Sequence, residues 1–400
     1  MNWVRSARLL TYRLKMKIMH FLLFFIIVLT IYGLINYYIF IRGLQAIPHA
    51  SALRIYYPII FWFAVLSFIL GRIMEGFWFS KISQILIWVG SFWLGAMVYF
   101  LLIVLLLDFL RLLNHWFPLF PTFITSNYVR TKQVAALVAI GVVAITVFVG
   151  YINALNPRIR TLNLTIPKKA NGLRTVNLAV VSDIHLGTIV GSSRFNRIVD
   201  RINQLHPDIV ILPGDIVDED LGPVIKQNLG ETLKNIKSVF GVVAITGNHE
   251  YIGGVEKACK YLADHNVLML RDSILKVNNS FYLVGREDRS IKGFTGKQRK
   301  PLEKLMAQVD KSYPIILLDH QPLNLSQAVV SGADLQISGH THHGQIWPLT
   351  YITDLIYEVS CGYKKKGNTQ IYVSSGAGTW GPPIRIWTAP EIVNIKLSFQ

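Results

Sequence analysis

Three histidines, His340, His342 and His343, stand within four residues of the stretch ISGHTHHGQ, in a chain with 11 histidines among 400 residues. Side chains at i and i+2 of an extended segment point the same way, so His340 and His342 read as a ligand pair and His343 falls out of register. Four other stretches carry similar chemistry. TVNLAVVSDIHLG ends in Asp183 and His185, PDIVILPGDIVD in Asp215, FGVVAITGNHE in Asn248 and His249, and YPIILLDHQP in His320. The donors are oxygen and nitrogen without thiolate, a set that suits manganese, iron or zinc. Asp183, His185, Asp215, Asn248, His320, His340 and His342 together exceed what one ion takes from protein. They fit two divalent ions sharing a bridging carboxylate, which clamp the attacking and leaving oxygens of a phosphoryl displacement.

Each donor closes an apolar run bounded by turn formers, which reads as a buried strand. Helices separate several runs. SSRFNRIVDRINQLHPD puts Phe195, Ile198, Val199, Ile202 and Leu205 on one face, with Ser192 or Ser193 as N-cap. KPLEKLMAQVDKS opens with Pro301 at a first helical position, and GGVEKACKYLADHN forms a third helix. Strands alternating with helices predict an α/β domain with its ligands converging at the carboxyl ends of the strands. Residues 156–174, polar and Pro/Gly-bearing, read as a linker and opening edge strand.

The front of the chain is different. The sequence is 52% hydrophobic and 16% charged, against about 25% charged in ordinary soluble domains. Residues 1–156 hold twelve Lys/Arg and two acids, Glu75 and Asp108. Ten of the seventeen net positive charges therefore sit beside apolar spans, where they set topology or meet anionic lipid rather than nucleic acid. Four stretches are apolar enough to cross a bilayer: 18–41, 55–71, 82–110 and 134–155. Arg5, Arg8, Arg13, Lys15, Lys17, Arg72, Lys81, Arg158, Arg160, Lys168 and Lys169 fall on one side of this pattern. Arg42, Arg54, Arg111, Arg130 and Lys132 fall on the other. The excess predicts a multi-pass membrane protein with a cytoplasmic N terminus and a cytoplasmic-facing C-terminal half. Asp108 pairs with Arg111 at i,i+3, Glu75 and His115 fall in loops, and the spans read as a packed anchor rather than a transport path. Cys259 and Cys361 read as two buried thiols.

The motifs DIH, GD, GNHE, a lone histidine after a strand, and GHTH are similar, in order, to those of calcineurin-like metallophosphoesterases, over about 170–400. SSGAGTWGPPIR followed by PEI, Ser374 to Ile392, resembles the C-terminal signature of a membrane- or wall-associated bacterial subgroup. The resemblance implies a two-sheet β-sandwich flanked by helices and metal-dependent phosphoester hydrolysis. It places Asp183, His185 and His342 on one metal and Asn248, His320 and His340 on a second, with Asp215 bridging. His249 is implied as the catalytic residue that protonates the leaving group or stabilises charge. The glycines Gly214, Gly247 and Gly339 would permit sharp turns and close approach to phosphate. His343 replaces the expected glycine and, with Gly376, is a candidate substrate contact. Asp218 is read as orienting a ligand histidine or capping the next helix, and Glu250 as orienting His249 or solvated.

The domain reading is thus 1–155 as transmembrane anchor, 156–174 as linker and edge strand, and 175–400 as phosphoesterase. Gly344 to Gly367 carries aromatics, Leu/Ile and then Lys364, Lys365 and Lys366, which reads as a flap touching the membrane and its anionic headgroups. An anchored site meets membrane lipids at high effective concentration. The expected substrate is a lipid or lipid-linked phosphate, attacked by a phosphodiesterase or pyrophosphatase. The alternatives are soluble nucleotides or phosphomonoesters, and a metal-stabilised binding module without turnover.

Overall fold

A computed structural model describes residues 2–400, with side chains from Met19 onward except at positions 20, 21 and 24. The side chains of Arg5, Arg8, Arg13, Lys15, Lys17 and His20 lie outside the described residues. The apolar stretches form α1 (Asn2–Ala46), α2 (Leu53–Phe77), α3 (Lys81–Trp116) and α5 (Tyr128–Ala154), with a short α4 (Thr122–Ser126) before the last. All four long helices are long and apolar enough to cross a membrane. They extend past the apolar runs. Glu75 and His115, expected in loops, sit in the last turns of α2 and α3, because each helix continues through its polar end.

Packing divides the chain into two units, Met1–Leu66 with Ala96–Ile145, and Ser67–Gly95 with Thr146–Gln400. In the first, the Tyr38 hydroxyl donates to Asp108, which also pairs with Arg42 at 2.6 Å and with Arg111 at 3.3 Å. A membrane-depth carboxylate is costly unless paired in this way.

The second unit contains two six-stranded sheets. One holds β1 (Arg158–Ile166), β2 (Thr175–Val180), β3 (Ile209–Pro213), β4 (Val242–Ile245), β5 (Val267–Met269) and β12 (Glu391–Phe399), in the order β1-β12-β2-β3-β4-β5. The other holds β6 (Ser273–Val277), β7 (Phe281–Gly285), β8 (Ile315–Leu318), β9 (Leu335–Ser338), β10 (Gly362–Lys366) and β11 (Thr369–Val373), in the order β10-β11-β9-β8-β7-β6. The anticipated edge strand is β1, paired with β12 alone.

Period-2 alternation builds the layers. Leu178 and Val180 of β2 join Ile316, Leu318, Leu335 and Ile337 in a core between the sheets. Ala179 and Val181 face the other way, onto Phe195, Ile198 and Ile202 of the helix Ser192–Gln204. Val284, Ile315 and Leu317 pack on Leu302, Leu305 and Met306 of the helix Leu302–Met306. The result is a two-sheet sandwich with helices on both outer faces. The helix Ser192–Gln204 is capped by Gly191 rather than a serine; its amphipathic face, not a cap, defines it. Cys259 is buried, whereas Cys361 is only half-buried.

Candidate metal centre

The parallel strands β2, β3 and β4 of one sheet and β8 and β9 of the other end together. Just past their carboxyl ends stand Asp183 and His185, Asp215, Asn248 and His249, His320, and His340 with His342. Donor atoms of Asp183, His185 and His342 lie within 4.8 Å of one another, and so do those of Asp215, His320 and His340. Asp215 also groups with His185 and His249, so it belongs to both clusters. Asn248 joins the second through a 2.8 Å contact of its Oδ1 with His340 Nδ1.

These distances can be tested against a metal. Ligands about 2.1 Å from one ion stand about 3–3.4 Å apart. His185 Nε2 lies 2.9 Å from His342 Nε2, and His320 Nε2 lies 3.1 Å from Asp215 Oδ2. His342 Nε2 is 3.7 Å from Asp183 Oδ1, and His185 Nε2 is 3.9 Å from Asp215 Oδ2. Asp183 Oδ2 and His320 Nε2 are buried without a hydrogen-bond partner, a costly state unless a cation takes them. The Nδ1 of His320 stands 2.7 Å from the Pro213 carbonyl and donates to it, which orients Nε2 towards Asp215; burial opposes protonation of this ring, but Asp215 and Asp183 raise its pKa well above the ordinary value. The residues fit divalent metal.

The electrostatics agree. Burial, aided by nearby His320, pushes the His340 imidazole down to about 3. Burial and the neighbouring His185 and Arg385 hold His342 well below its ordinary value. Both rings are neutral at pH 7, as ligands must be. Burial would raise Asp215, but His320, His249 and His185 hold it well below the usual carboxylate range. These positive neighbours keep Asp215 ionised, the form in which a carboxylate can serve as a ligand.

Backbone strain is concentrated here. Asp183, His185, Asp215, His340 and His342 all have φ between 47° and 74°, a left-handed region costing of order 1–3 kcal/mol for each such residue. The neighbouring glycines serve these ligands. A Cβ on Gly339 would lie 1.8 Å from Ser182 Oγ and 2.3 Å from Asp183 Oδ2, and one on Gly247 would lie 2.1 Å from Asp215 Oδ1. Their role here is to admit ligand side chains. Gly376 is buried behind Asp183, where an added Cβ would come within 2.7 Å of the Asp183 Cβ. His343 sits half-buried, 3.5 Å from Asp354. Neither is drawn into the ligand clusters.

Residues 176–344 match the family model for calcineurin-like phosphoesterases. The chain carries a calcineurin-like metallophosphoesterase domain. Among curated relatives, an uncharacterized metallophosphoesterase of Helicobacter pylori is 34% identical over 253 residues, covering 62% of this chain and 65% of that protein. A transmembrane protein with metallophosphoesterase domain from Danio rerio is 33% identical over 279 residues, covering 66% and 62%. The chain thus spans just under two thirds of the length of these relatives. A Campylobacter jejuni metallophosphoesterase is 28% identical over 389 residues, covering 95% of this chain and 99% of its own.

The metallophosphoesterase domain has further parts that its motifs did not announce. Glu250 is buried and neither orients His249 nor meets solvent. Its carboxylate accepts the backbone N–H groups of Asp215, Ile216, Val217 and Gly247 at 2.7–3.1 Å. Arg385, fully buried, donates to the carbonyls of His342, Gly376 and Gly378. Trp380, half-exposed, sets its ring 5.6 Å from that of His249, and Gln345 fixes its loop by donating to the Trp380 and Pro382 carbonyls. Asp218 Oδ1 stands 3.3 Å from His249 Nδ1 and 3.6 Å from His185 Nδ1, while the next helix is capped by Asp220. Spacing in the sequence marks the candidate ligands, and Asp218 reads there as orienting a ligand histidine; the partners of Glu250, Arg385 and Trp380 appear only once the chain is folded.

Proposed function

We propose that this chain is a membrane-anchored, metal-dependent phosphoester hydrolase, a phosphodiesterase or pyrophosphatase acting on a lipid or lipid-linked phosphate at the membrane surface. One observation carries the choice of substrate. The helix Leu349–Ile356 begins five residues after the ligand turn His342–Gly344 and exposes Tyr351, Ile352, Leu355 and Ile356, Leu355 to 87%. An exposed apolar helix face beside a catalytic site fits an acyl-chain environment.

In this reading Asp183, His185 and His342 hold one divalent ion, Asn248, His320 and His340 a second, and Asp215 both, the metals being manganese, iron or zinc. Such a pair supplies a water acidified towards a pKa of about 7 and screening of phosphate charge. His249 holds the proton for the leaving group. Burial opposes its protonation, but Asp215 and Asp218 raise its pKa to about 9, which favours the protonated ring. The indole of Trp380 stands edge-on to it, with ring centroids 5.6 Å apart. Residues 1–155 serve as the multi-pass anchor and 175–400 as the catalytic region, facing the cytoplasm. The topology is tested by whether an impermeant thiol reagent reaches a Lys396→Cys variant in intact cells; labelling there would reverse it.

Incubating the purified chain with a total lipid extract plus manganese, and identifying by mass spectrometry which lipids disappear, tests the function. Comparing the consumed lipid with its deacylated headgroup then decides its class. Faster cleavage of the intact lipid is expected. Equal rates would remove the lipid reading and favour soluble nucleotides or phosphomonoesters.

A further inference from the structure

The helical elbow from Ser67 to Gly95 packs with the phosphoesterase strands as one unit, and its charged residues reach the site. Arg72, in the penultimate turn of α2, places Nη2 2.9 Å from Asp218 Oδ2 and 3.2 Å from Glu219 Oε2. Its Nη1 stands 2.9 Å from Glu75 Oε2. Glu75, whose side chain is 1% exposed, accepts the hydroxyl of Thr188, three residues after His185. The guanidinium thus lies among three carboxylates, and its Cζ sits 5.8 Å from the Phe68 ring centroid.

The elbow holds Arg72 firmly. A Cβ on Gly90 would lie 2.1 Å from the Phe68 backbone nitrogen, and one on Gly71 would lie 2.8 Å from that of Ile87. The two helices therefore approach at backbone contact. At the turn, Ser80 and Ser83 exchange hydrogen bonds, each backbone N–H donating to the other's hydroxyl. Such reciprocal capping fixes the start of α3.

Asp218 is the link. One oxygen takes Arg72. The other, buried and without a hydrogen-bond partner, faces His249 Nδ1 at 3.3 Å and His185 Nδ1 at 3.6 Å. Arg72 holds the first oxygen through Nη2 while its Nη1 is held by Glu75, so the guanidinium plane is fixed at both ends and the free oxygen of Asp218 is turned towards the two imidazoles. We infer that Arg72 and Glu75 of the helical elbow are positioning residues of the phosphoester site, Arg72 acting through Asp218 and Glu75 through the loop that carries His185. The elbow is then a working part of the enzyme as well as a tether, and the inference rests on the hydrolase reading only for its kinetic readout.

The test uses the full-length chain in detergent or nanodiscs. Turnover of bis(p-nitrophenyl) phosphate with manganese gives kcat and KM, and titration followed by EPR gives manganese affinity. Arg72→Gln is expected to lower kcat or manganese affinity by about 10–100-fold, as removal of outer-shell partners does elsewhere, with KM nearly unchanged. Arg72→Lys, which keeps the charge without the fork, recovers part of the loss. In an Asp218→Asn background Arg72→Gln has little further effect, because its route is already cut. Wild-type kcat and manganese affinity in Arg72→Gln would overturn the inference, as would full, independent losses in the double variant. If Arg72→Gln does not fold, Arg72→Lys decides alone, and wild-type values for it would overturn the inference. A wild type that binds manganese yet cleaves no phosphoester sinks the hydrolase reading. The inference then stands or falls on whether Arg72→Gln weakens manganese binding.

Discussion

Asp215 and Asp218 are three residues apart and face the same two imidazoles, yet the molecule holds them differently. Asp215 is held from nearby. Its Oδ1 accepts the His249 backbone N–H at 2.9 Å, and its own N–H donates to Glu250, 35 residues on. Asp218 is held from afar, by Arg72, 146 residues earlier in the chain. Burial would raise both carboxyls, and both are held well below the usual range. For Asp215 the opposing charges are His320, His249 and His185; for Asp218 the first is Arg72. The strand-end loops make a site that depends on its ligands, while the elbow aligns it from outside.

The comparison breaks most visibly at Asp215. An Asp215→Asn variant keeps the shape but removes the charge facing His320 and His185. Turnover should fall on the order of a thousandfold or more, the scale on which members of one catalytic unit fail, and bound metal measured by mass spectrometry should drop. A loss no larger than that of Arg72→Gln would erase the distinction between ligand and brace.

His249 sharpens the same contrast from inside the site. It belongs geometrically to the donor group of His185 and Asp215, and its Nδ1 faces Asp218. If its work is proton transfer, His249→Ala costs about 10²–10⁴-fold in kcat with the metal content intact. Metal lost in parallel with activity would make it a ligand and withdraw its role as acid.

The asymmetry also explains what could be read without a structure. Asp183, His185, Asp215, Asn248, His320, His340 and His342 follow apolar runs that form strands, so element and candidate donor are adjacent in sequence and the clusters the structure brings together are legible there. Those same runs predict an α/β domain, and its two-sheet architecture is what the family resemblance implies. Arg72 was legible only as a loop cation that sets topology, because nothing local ties α2 to the turn after β3. Glu75 reads from the sequence as a loop residue, since its helix outlasts the apolar run that announces it. Glu250 reads from the sequence as orienting His249 or solvated, whereas three of its four partners are backbone N–H groups 33 to 35 residues earlier. Long-range partners of buried charge leave no local period or spacing to detect.

Glu250 offers a test of the locally held side alone. Glu250→Gln keeps the volume but turns an amide NH₂ towards a cluster of four backbone N–H donors. At least one buried donor then lacks an acceptor, which costs about 1–3 kcal/mol. Denaturant unfolding should show that loss of stability, and the activity of the fraction still folded should fall less than in Asp215→Asn. An unchanged midpoint would mean the Asp215 turn holds itself without the clamp.

The smallest effect concerns neither carboxylate but how substrate reaches them. The lysine run expected to meet anionic headgroups is partly spoken for: Lys364 and Lys366 pair with Glu358 at 3.1 and 2.7 Å. On the proposed reading the apolar helix Leu349–Ile356 is therefore the part of this segment that would meet the membrane, and Leu355 is its most exposed side chain. Full burial of a leucine is worth about 1.5–3 kcal/mol, and partial insertion less. Leu355→Glu should accordingly slow cleavage of a bilayer-embedded lipid by several-fold up to about tenfold, while the rate on bis(p-nitrophenyl) phosphate stays at the wild-type value. Equal slowing on both substrates would place Leu355 among the supports of the site, and no slowing on either would separate the helix from substrate delivery.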